Sequence, residues 1–387
     1  MKALHVIPSI GPLRGGPSVA IQTLVLGLTH RGVETHIATT DDNGPARLPA
    51  ALGAPQLDQG VVYWHFPRQT RFYTCSLPMT KWLWRHMRDY DVVHIHALFS
   101  YPSTAAAWIA RARGVPYIIR PLGVLNRWGM QRRRPLLKRL SFRLCEKKIL
   151  ERAAAVHYTS EQERQEAEEL GFESRGVVIP NPLQPDNGAR PAKGRFRARH
   201  PGLQGKLVYL FLSRVDEKKG LDLLLPAFAR LKESFPQSAL VIAGSGPAAL
   251  MDSLRRLARA LKLGDEVVWT GFLEGQAKAE ALADADAFVL PSYSENFGVA
   301  VVEAMSRGLP VVVSDQVGIH PEIAARGAGL VIPCRVEPLT DAMTRLAQDP
   351  ALRQEIGSRG VELASAEFSL ESVCQSLIEL YRGAARN

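Results

Sequence analysis

The chain has 387 residues, 46% of them apolar and 22% charged, a net charge of +10 and no biased tract. That composition excludes a disordered protein, and the length suits two domains of ordinary size better than one core. No run approaches the ~18 uncharged apolar residues of a membrane span, and Cys75, Cys145, Cys334 and Cys374 lie too far apart for a metal-type pair, as expected of reduced thiols in a cytoplasmic protein.

The opening MKALHVIPSIGP carries one lysine and an apolar run too short for a signal segment, so it reads as a first strand. Apolar runs at 2–8, 35–40, 61–66, 92–96, 116–120, 155–159 and 176–180 predict buried strands. Helical stretches near 17–31, 78–88, 102–113, 135–152 and 161–170 lie between most of them, which implies a parallel sheet covered on both faces. Residues 127–152 hold ten Lys or Arg against two Glu, with Leu136, Leu137, Leu140 and Leu144 at helical spacing. This basic amphipathic stretch reads either as a solvated face whose leucines pack on their own domain or as a contact for an anionic membrane surface. No aromatic-interleaved basic stripe accompanies it, so no nucleic acid partner is expected.

After Asn181 the pattern lapses into PLQPDNGARPAKGRFRARHPGLQG, which reads as a linker. Strands are then predicted at 206–213, 238–243, 266–270, 287–291, 310–314 and 329–332. Helices near 221–234, 248–262, 275–283, 298–307 and 336–347 alternate with them, and two more follow at 350–364 and 370–384. Two parallel α/β domains in series is the expected architecture.

In open parallel sheets ligands bind beyond the carboxyl ends of the strands, where helix N-termini also point. Gly15 and Gly16, His96, Arg214 with Lys219, Gly244 with Gly246, and Glu295 all fall at such ends. Arginine and lysine beside exposed helix N-termini favour a diphosphate, whereas a carboxylate beside phosphates is repelled and suits sugar hydroxyls. In SENFGVAVVEAMSRG, residues 294–308, a helix starting near Gly298 puts Glu303 roughly 7.5 Å along its axis while Glu295 stays in the loop at its mouth. Two carboxylates so spaced suit the two ends of one ligand, a hexose at Glu295 and a ribose at Glu303, with the amides of Asn296, Phe297 and Gly298 between them.

Two motifs imitate other chemistry. GSGPAA at 244–249 fits a dinucleotide pattern, but the next strand ends in Thr270 and Gly271 rather than in an acid for the ribose. Asp284-Ala285-Asp286 imitates a metal-binding D-x-D but precedes its strand, on the amino edge, and a structural role with no required metal is expected.

At these residues the chain resembles the retaining GT-B glycosyltransferases of family 4, group 1. The resemblance rests on Gly15-Gly16, HIH at 94–96, SRVDEKKG at 213–220, AGSGP at 243–247 and, most specifically, SENFGVAVVEAMSRGLPVVVSD at 294–315. It implies two Rossmann-like domains facing across a cleft. Residues 1–185 with a returning final helix, 369–387, would bind the acceptor, and residues 186–368 the donor. Arg214 and Lys219 would hold the diphosphate of a UDP- or GDP-sugar, Glu303 the ribose and Glu295 a donor-sugar hydroxyl. His96 would lie near the reacting carbon, and Gly16 would approach the phosphates. The basic stretch at 127–152, beside the acceptor domain, points to a glycan or lipid-linked acceptor hydroxyl of the cell envelope. A nucleotide-sugar isomerase of the same fold and a non-catalytic membrane-surface protein are the alternatives.

Overall fold

The structure is a computed structural model describing residues 1–14, 16–126, 130, 135–183 and 191–386. It divides into two units, Met1–Gln184 with Ser369–Asn387, and Pro185–Phe368. Gly15 and residues 127–129 and 131–134 of the basic stretch lie outside the described residues.

Unit 1 is built on strands β1 (Lys2–Val6), β2 (Glu34–Thr40), β5 (Pro55–Asp58), β6 (Val61–Phe66), β7 (Val92–His96), β8 (Tyr117–Arg120), β9 (Ala155–Tyr158) and β10 (Gly176–Val178), with a small hairpin of β3 (Asp42–Asn43) and β4 (Ala46–Arg47). The sheet order is β10-β9-β8-β7-β1-β2-β6-β5, so the winding reverses between β1 and β7. All pairings in this sheet are parallel except β5 with β6. The apolar runs fill both faces, as an internal parallel sheet requires. Leu4, Val6 and Ile95 join one cluster, and Ala3, Val92 and Ile118 another. The final helix, Leu370–Ala385, is capped by Ser369 and buries Cys374, Leu377 and Tyr381 in that second cluster against Leu24 and Leu28 of the helix Gly16–Thr29.

Unit 2 holds β11 (Leu207–Leu212), β12 (Ser238–Ala243), β13 (Val267–Gly271), β14 (Ala287–Leu290), β15 (Val311–Ser314) and β16 (Gly329–Ile332). Their order, β13-β12-β11-β14-β15-β16, is that of the doubly wound dinucleotide-binding sheet, all parallel, reversing between β11 and β14.

Three local features differ from the sequence reading. The strand β5 and the β3–β4 hairpin were not expected, because short polar segments such as PQLD and DN carry no apolar period. Residues 194–205, read as linker, fold onto unit 2 as a short helix, Arg195–Arg199, and a following turn. Their anchor is the D-x-D pair. The Asp284 carboxylate accepts from the backbone N–H groups of Gly194 and Arg197, and the Arg197 guanidinium pairs with Asp286 at 2.8 Å. These contacts are the structural role expected of the motif.

The third difference concerns the basic helix. It runs through Pro135–Ser141, a π-type segment Phe142–Glu146 and Lys147–Glu151. The wide turn inserts a residue and rotates the face that follows. Phe142, Ile149 and Leu150 are buried, whereas Leu136, Leu137, Leu140 and Leu144 are 79%, 45%, 55% and 63% exposed. The reading in which those leucines pack on their own domain is therefore overturned.

Candidate functional site

The described geometry of unit 2 is richest where its strand order reverses. Beyond β11 the chain makes a 3-10 turn, Glu217–Lys219, capped by the Asp216 carboxylate accepting from the Lys218 amide at 3.1 Å. This turn sends Lys219 inward, where it is 4% exposed and forms an ion pair with Glu295 from the loop beyond β14. The two loops are also stitched by backbone, Tyr293 N–H donating to Lys218 O at 2.7 Å. Glu295 is itself held from the β15 side, since its N–H donates to Gln316 O at 3.0 Å and its C=O accepts from Gly318 at 2.8 Å. Its backbone is fixed in both directions while the carboxylate projects toward the cation. Ser292 Oγ has no hydrogen-bond partner among the described residues, and the Glu295 N–H is taken by Gln316, so Ser292 and Glu295 do not form a capping box.

Burial raises the Glu295 carboxyl, but the Lys219 ammonium, by charge and hydrogen bond, with help from Lys218 and Arg214, takes it below the usual carboxylate range. Arg214 is exposed at the end of the same β11 loop and makes no ion pair among the described residues. Arg214, Lys218 and Lys219 thus act together on the Glu295 carboxylate at this switch point, while Asp216 caps the turn that carries them.

Gly244 and Gly246, beyond β12, carry this loop in another way. A Cβ on Gly244 would lie 1.9 Å from Ser213 O, and one on Gly246 2.2 Å from Val215 O. Their missing side chains let the AGSGP turn lie directly along Ser213–Val215, joined by Val215 N–H to Ser245 O at 2.9 Å. The turn thus braces the loop that presents Arg214.

Gly298 is the cap of the helix Val299–Ser306 and has φ +95°, a left-handed conformation that glycine adopts without the Cβ penalty. The helix starts where the spacing predicted, and Glu303 is its fifth residue. Phe297 is buried against Phe368, with ring centroids 5.6 Å apart. Its side chain belongs to the core, which leaves only its backbone for a ligand. The Glu303 carboxylate is paired with Lys278, at 2.8 Å, a residue that the sequence reading missed.

In unit 1, Gly16 is the first residue of the helix Gly16–Thr29, with open space where a Cβ would lie. His96 is fully buried at the carboxyl end of β7, its ring stacked on His5 with Nε2 3.1 Å from His5 Nδ1. Beside them runs a hydrogen-bonded chain. His157 Nε2 lies 2.7 Å from Ile179 O, which only a protonated nitrogen satisfies. His157 Nδ1 is then the acceptor for His94 Nε2–H at 3.2 Å, and His94 Nδ1 accepts from the Tyr381 hydroxyl at 2.7 Å. Every ring in this chain is a fixed neutral tautomer.

Burial, and then the charge of Arg120, pushes His5 down to about 3. Burial followed by the neighbouring histidines and Arg120 holds His94 and His96 well below the ordinary histidine value. Burial likewise raises Tyr381. His5, His94 and His96 bring three ring nitrogens within 4.8 Å of one another, but both nitrogens of His94 are already engaged and the buried Arg120 adds positive charge, a poor setting for a cation.

Of seven non-glycine residues with positive φ among the described residues, five (Tyr73, Thr74, Ala97, Phe99, Leu122) lie in loops leaving the carboxyl ends of β6, β7 and β8. Such strain, about 1 kcal/mol or more each, clusters at functional sites.

Comparison with known proteins converges on one family. The model for glycosyl transferases group 1 matches residues 193–362, and that for the glycosyl transferase 4-like domain matches residues 15–182. Among similar proteins, the α-D-kanosaminyltransferase of Streptomyces kanamyceticus is 28% identical over 71% of this chain and 72% of the relative. The D-inositol 3-phosphate glycosyltransferase of Actinosynnema mirum is 28% identical over 96% and 93%. Among solved structures, sucrose-phosphate synthase from Thermosynechococcus elongatus superposes with a TM-score of 0.77 at 22% identity, covering 99% and 98% of the two chains. Anabaena Alr3699/HepE in complex with UDP superposes at 0.79 and 18% identity, covering 98% and 99%. At those identities the likeness shows the fold, which is GT-B with two Rossmann-like units. With both family models matched over nearly the whole chain, the protein belongs to the group 1 glycosyl transferases.

Proposed function

We propose that the protein transfers a sugar from a UDP- or GDP-sugar to a hydroxyl of a glycan or lipid-linked acceptor, with retention at the anomeric carbon and without a required metal. Unit 2 takes the donor and unit 1 the acceptor. The observation that carries this reading is the switch point of unit 2, where Lys219 and Arg214 act on the fixed carboxylate of Glu295. A related structure was solved with UDP-glucose, which supports a nucleotide-sugar donor.

In this mechanism cleavage of the donor leaves positive charge on the sugar and negative charge on the departing phosphate. Arg214, Lys219 and the helix N-termini stabilise that phosphate as fixed charges in place of a metal. Glu295, held in orientation by Lys219, accepts from a sugar hydroxyl, Glu303 from the ribose, and the amides of Asn296, Phe297 and Gly298 lie between. No carboxylate is assigned as a nucleophile, so departure and attack on the same face, with the leaving phosphate taking the acceptor proton, is preferred to double displacement. His96 orients groups as a neutral imidazole rather than attacking.

The strained loops beyond β6, β7 and β8 support an acceptor site in unit 1. The exposed leucines of the basic helix, flanked by Lys138, Arg139, Arg143, Lys147 and Lys148, support docking on an anionic membrane surface, as a lipid-linked acceptor requires. No helix among the described residues is long and apolar enough to cross a membrane.

The test is a panel of UDP- and GDP-sugars with simple glycan and lipid-linked acceptors, the product anomer read by proton NMR with and without EDTA. An α-linked product from an α-linked donor, formed equally in EDTA, is expected; inversion or loss of activity in EDTA contradicts the mechanism. Sedimentation with phosphatidylglycerol vesicles is expected at low salt and not at high salt, and its absence at low salt removes the membrane reading.

A further inference from the structure

Lys278 and Glu303 face each other from the two helices that flank β14 in sequence, Gly275–Asp284 before it and Val299–Ser306 after it. Their side chains are 27% and 13% exposed, with Nζ 2.8 Å from Oε1. Neither charge suits its own helix. Lys278 is the fourth residue of its helix, near the positive end of the macrodipole, and Glu303 lies in the last turn of its helix, near the negative end. Local helix electrostatics therefore explains neither residue. What explains both is the pair.

The Glu303 carboxylate offers about four lone-pair directions. Among the described residues Lys278 alone donates to it, and only at Oε1, so Oε2 is left open. We infer that Lys278 is the positioning residue for ribose recognition: it fixes the Glu303 carboxylate in one rotamer, with Oε2 and the remaining lone pair of Oε1 presented to two adjacent hydroxyls. The arrangement repeats that at the sugar end, where Lys219 holds Glu295, so each of these two acids has its own lysine. This inference rests on the reading of Glu303 as the ribose ligand.

The test is titration calorimetry of the full-length protein with UDP and GDP, each beside its 2′,3′-dideoxy form. For the nucleotide that binds, removing both hydroxyls is expected to weaken wild-type binding about a hundredfold. In Lys278→Gln the ribonucleotide binds about tenfold more weakly than to wild type, while the dideoxy form binds within about twofold, so discrimination shrinks. Lys278→Arg, which keeps the charge, restores most of it. Thermal unfolding without nucleotide is expected to match wild type in both variants.

Equal weakening of both nucleotides by Lys278→Gln would show that the lysine acts on the nucleotide directly, and overturns the positioning role. Glu303→Gln separates the two levels. If it abolishes discrimination while Lys278→Gln does not, only the role of Lys278 fails; if Glu303→Gln keeps full discrimination, the ribose reading fails and the inference with it.

Discussion

Two sheets of one winding end in opposite chemistry. At the reversal between β11 and β14, unit 2 gathers charges, Lys219 and Arg214 around Glu295 with Lys278 on Glu303 nearby. At the corresponding reversal between β1 and β7, unit 1 buries His5, His94 and His96 as neutral rings. Topology makes a ligand edge in both units, but it does not decide what the edge recognises. Fixed cations suit a ligand that brings its own negative charge. Neutral imidazoles cost less to bury and set tautomers instead of potentials.

Removing the cation tests the first half of that contrast most severely. Lys219→Ala leaves Glu295 without its ion-pair partner and takes away charge where the leaving phosphate develops it. Turnover is expected to fall about a hundredfold or more, with circular dichroism unchanged. Full activity would place phosphate stabilisation elsewhere.

The second half is broken from the far end of the chain. Tyr381→Phe removes the hydroxyl that donates to His94 and leaves a buried acceptor unpaired. A stability loss of about 1–3 kcal/mol in urea unfolding is expected, with nucleotide affinity unchanged. A loss of nucleotide binding without a loss of stability would reverse the roles of the two edges.

Acid sharpens the comparison by a smaller margin. An unfolded imidazole takes up a proton near 6.5, whereas folded His5 holds out until about 3. The folded state therefore loses stability as pH falls below 6.5 and on through about 3, and loses nothing from this group above 6.5. His5→Asn removes that dependence, so its melting temperature is expected to fall less steeply than wild type between pH 6.5 and 4.5. Parallel slopes would mean that His5 is not buried neutral.

Much of this was legible in the sequence because it is written in local pattern. The apolar runs gave the strands, and the rule that ligands sit at carboxyl ends drew attention to Arg214, Lys219 and Glu295. The Phe-Gly step before VAVVEAM placed the helix start at Gly298, and the motif at 294–315 pointed to the family that both family models match.

What escaped depends on distance or on which face of a helix meets the domain. Lys278 lies 25 residues from its partner and Tyr381 lies 287 from His94, and no helical or strand spacing relates such pairs. The leucines of the basic helix fit a continuous 3.6-residue period, but that period does not say which face meets the domain, and burial falls instead to Phe142, Ile149 and Leu150.

The central claim, that the cationic edge of unit 2 is the donor site, is tested most directly by a crystal structure with UDP or GDP. The account predicts diphosphate oxygens within hydrogen-bonding distance of Arg214 and Lys219, and ribose hydroxyls on Glu303. A nucleotide seated anywhere else, or at this edge with its phosphates turned away from both cations, would contradict it.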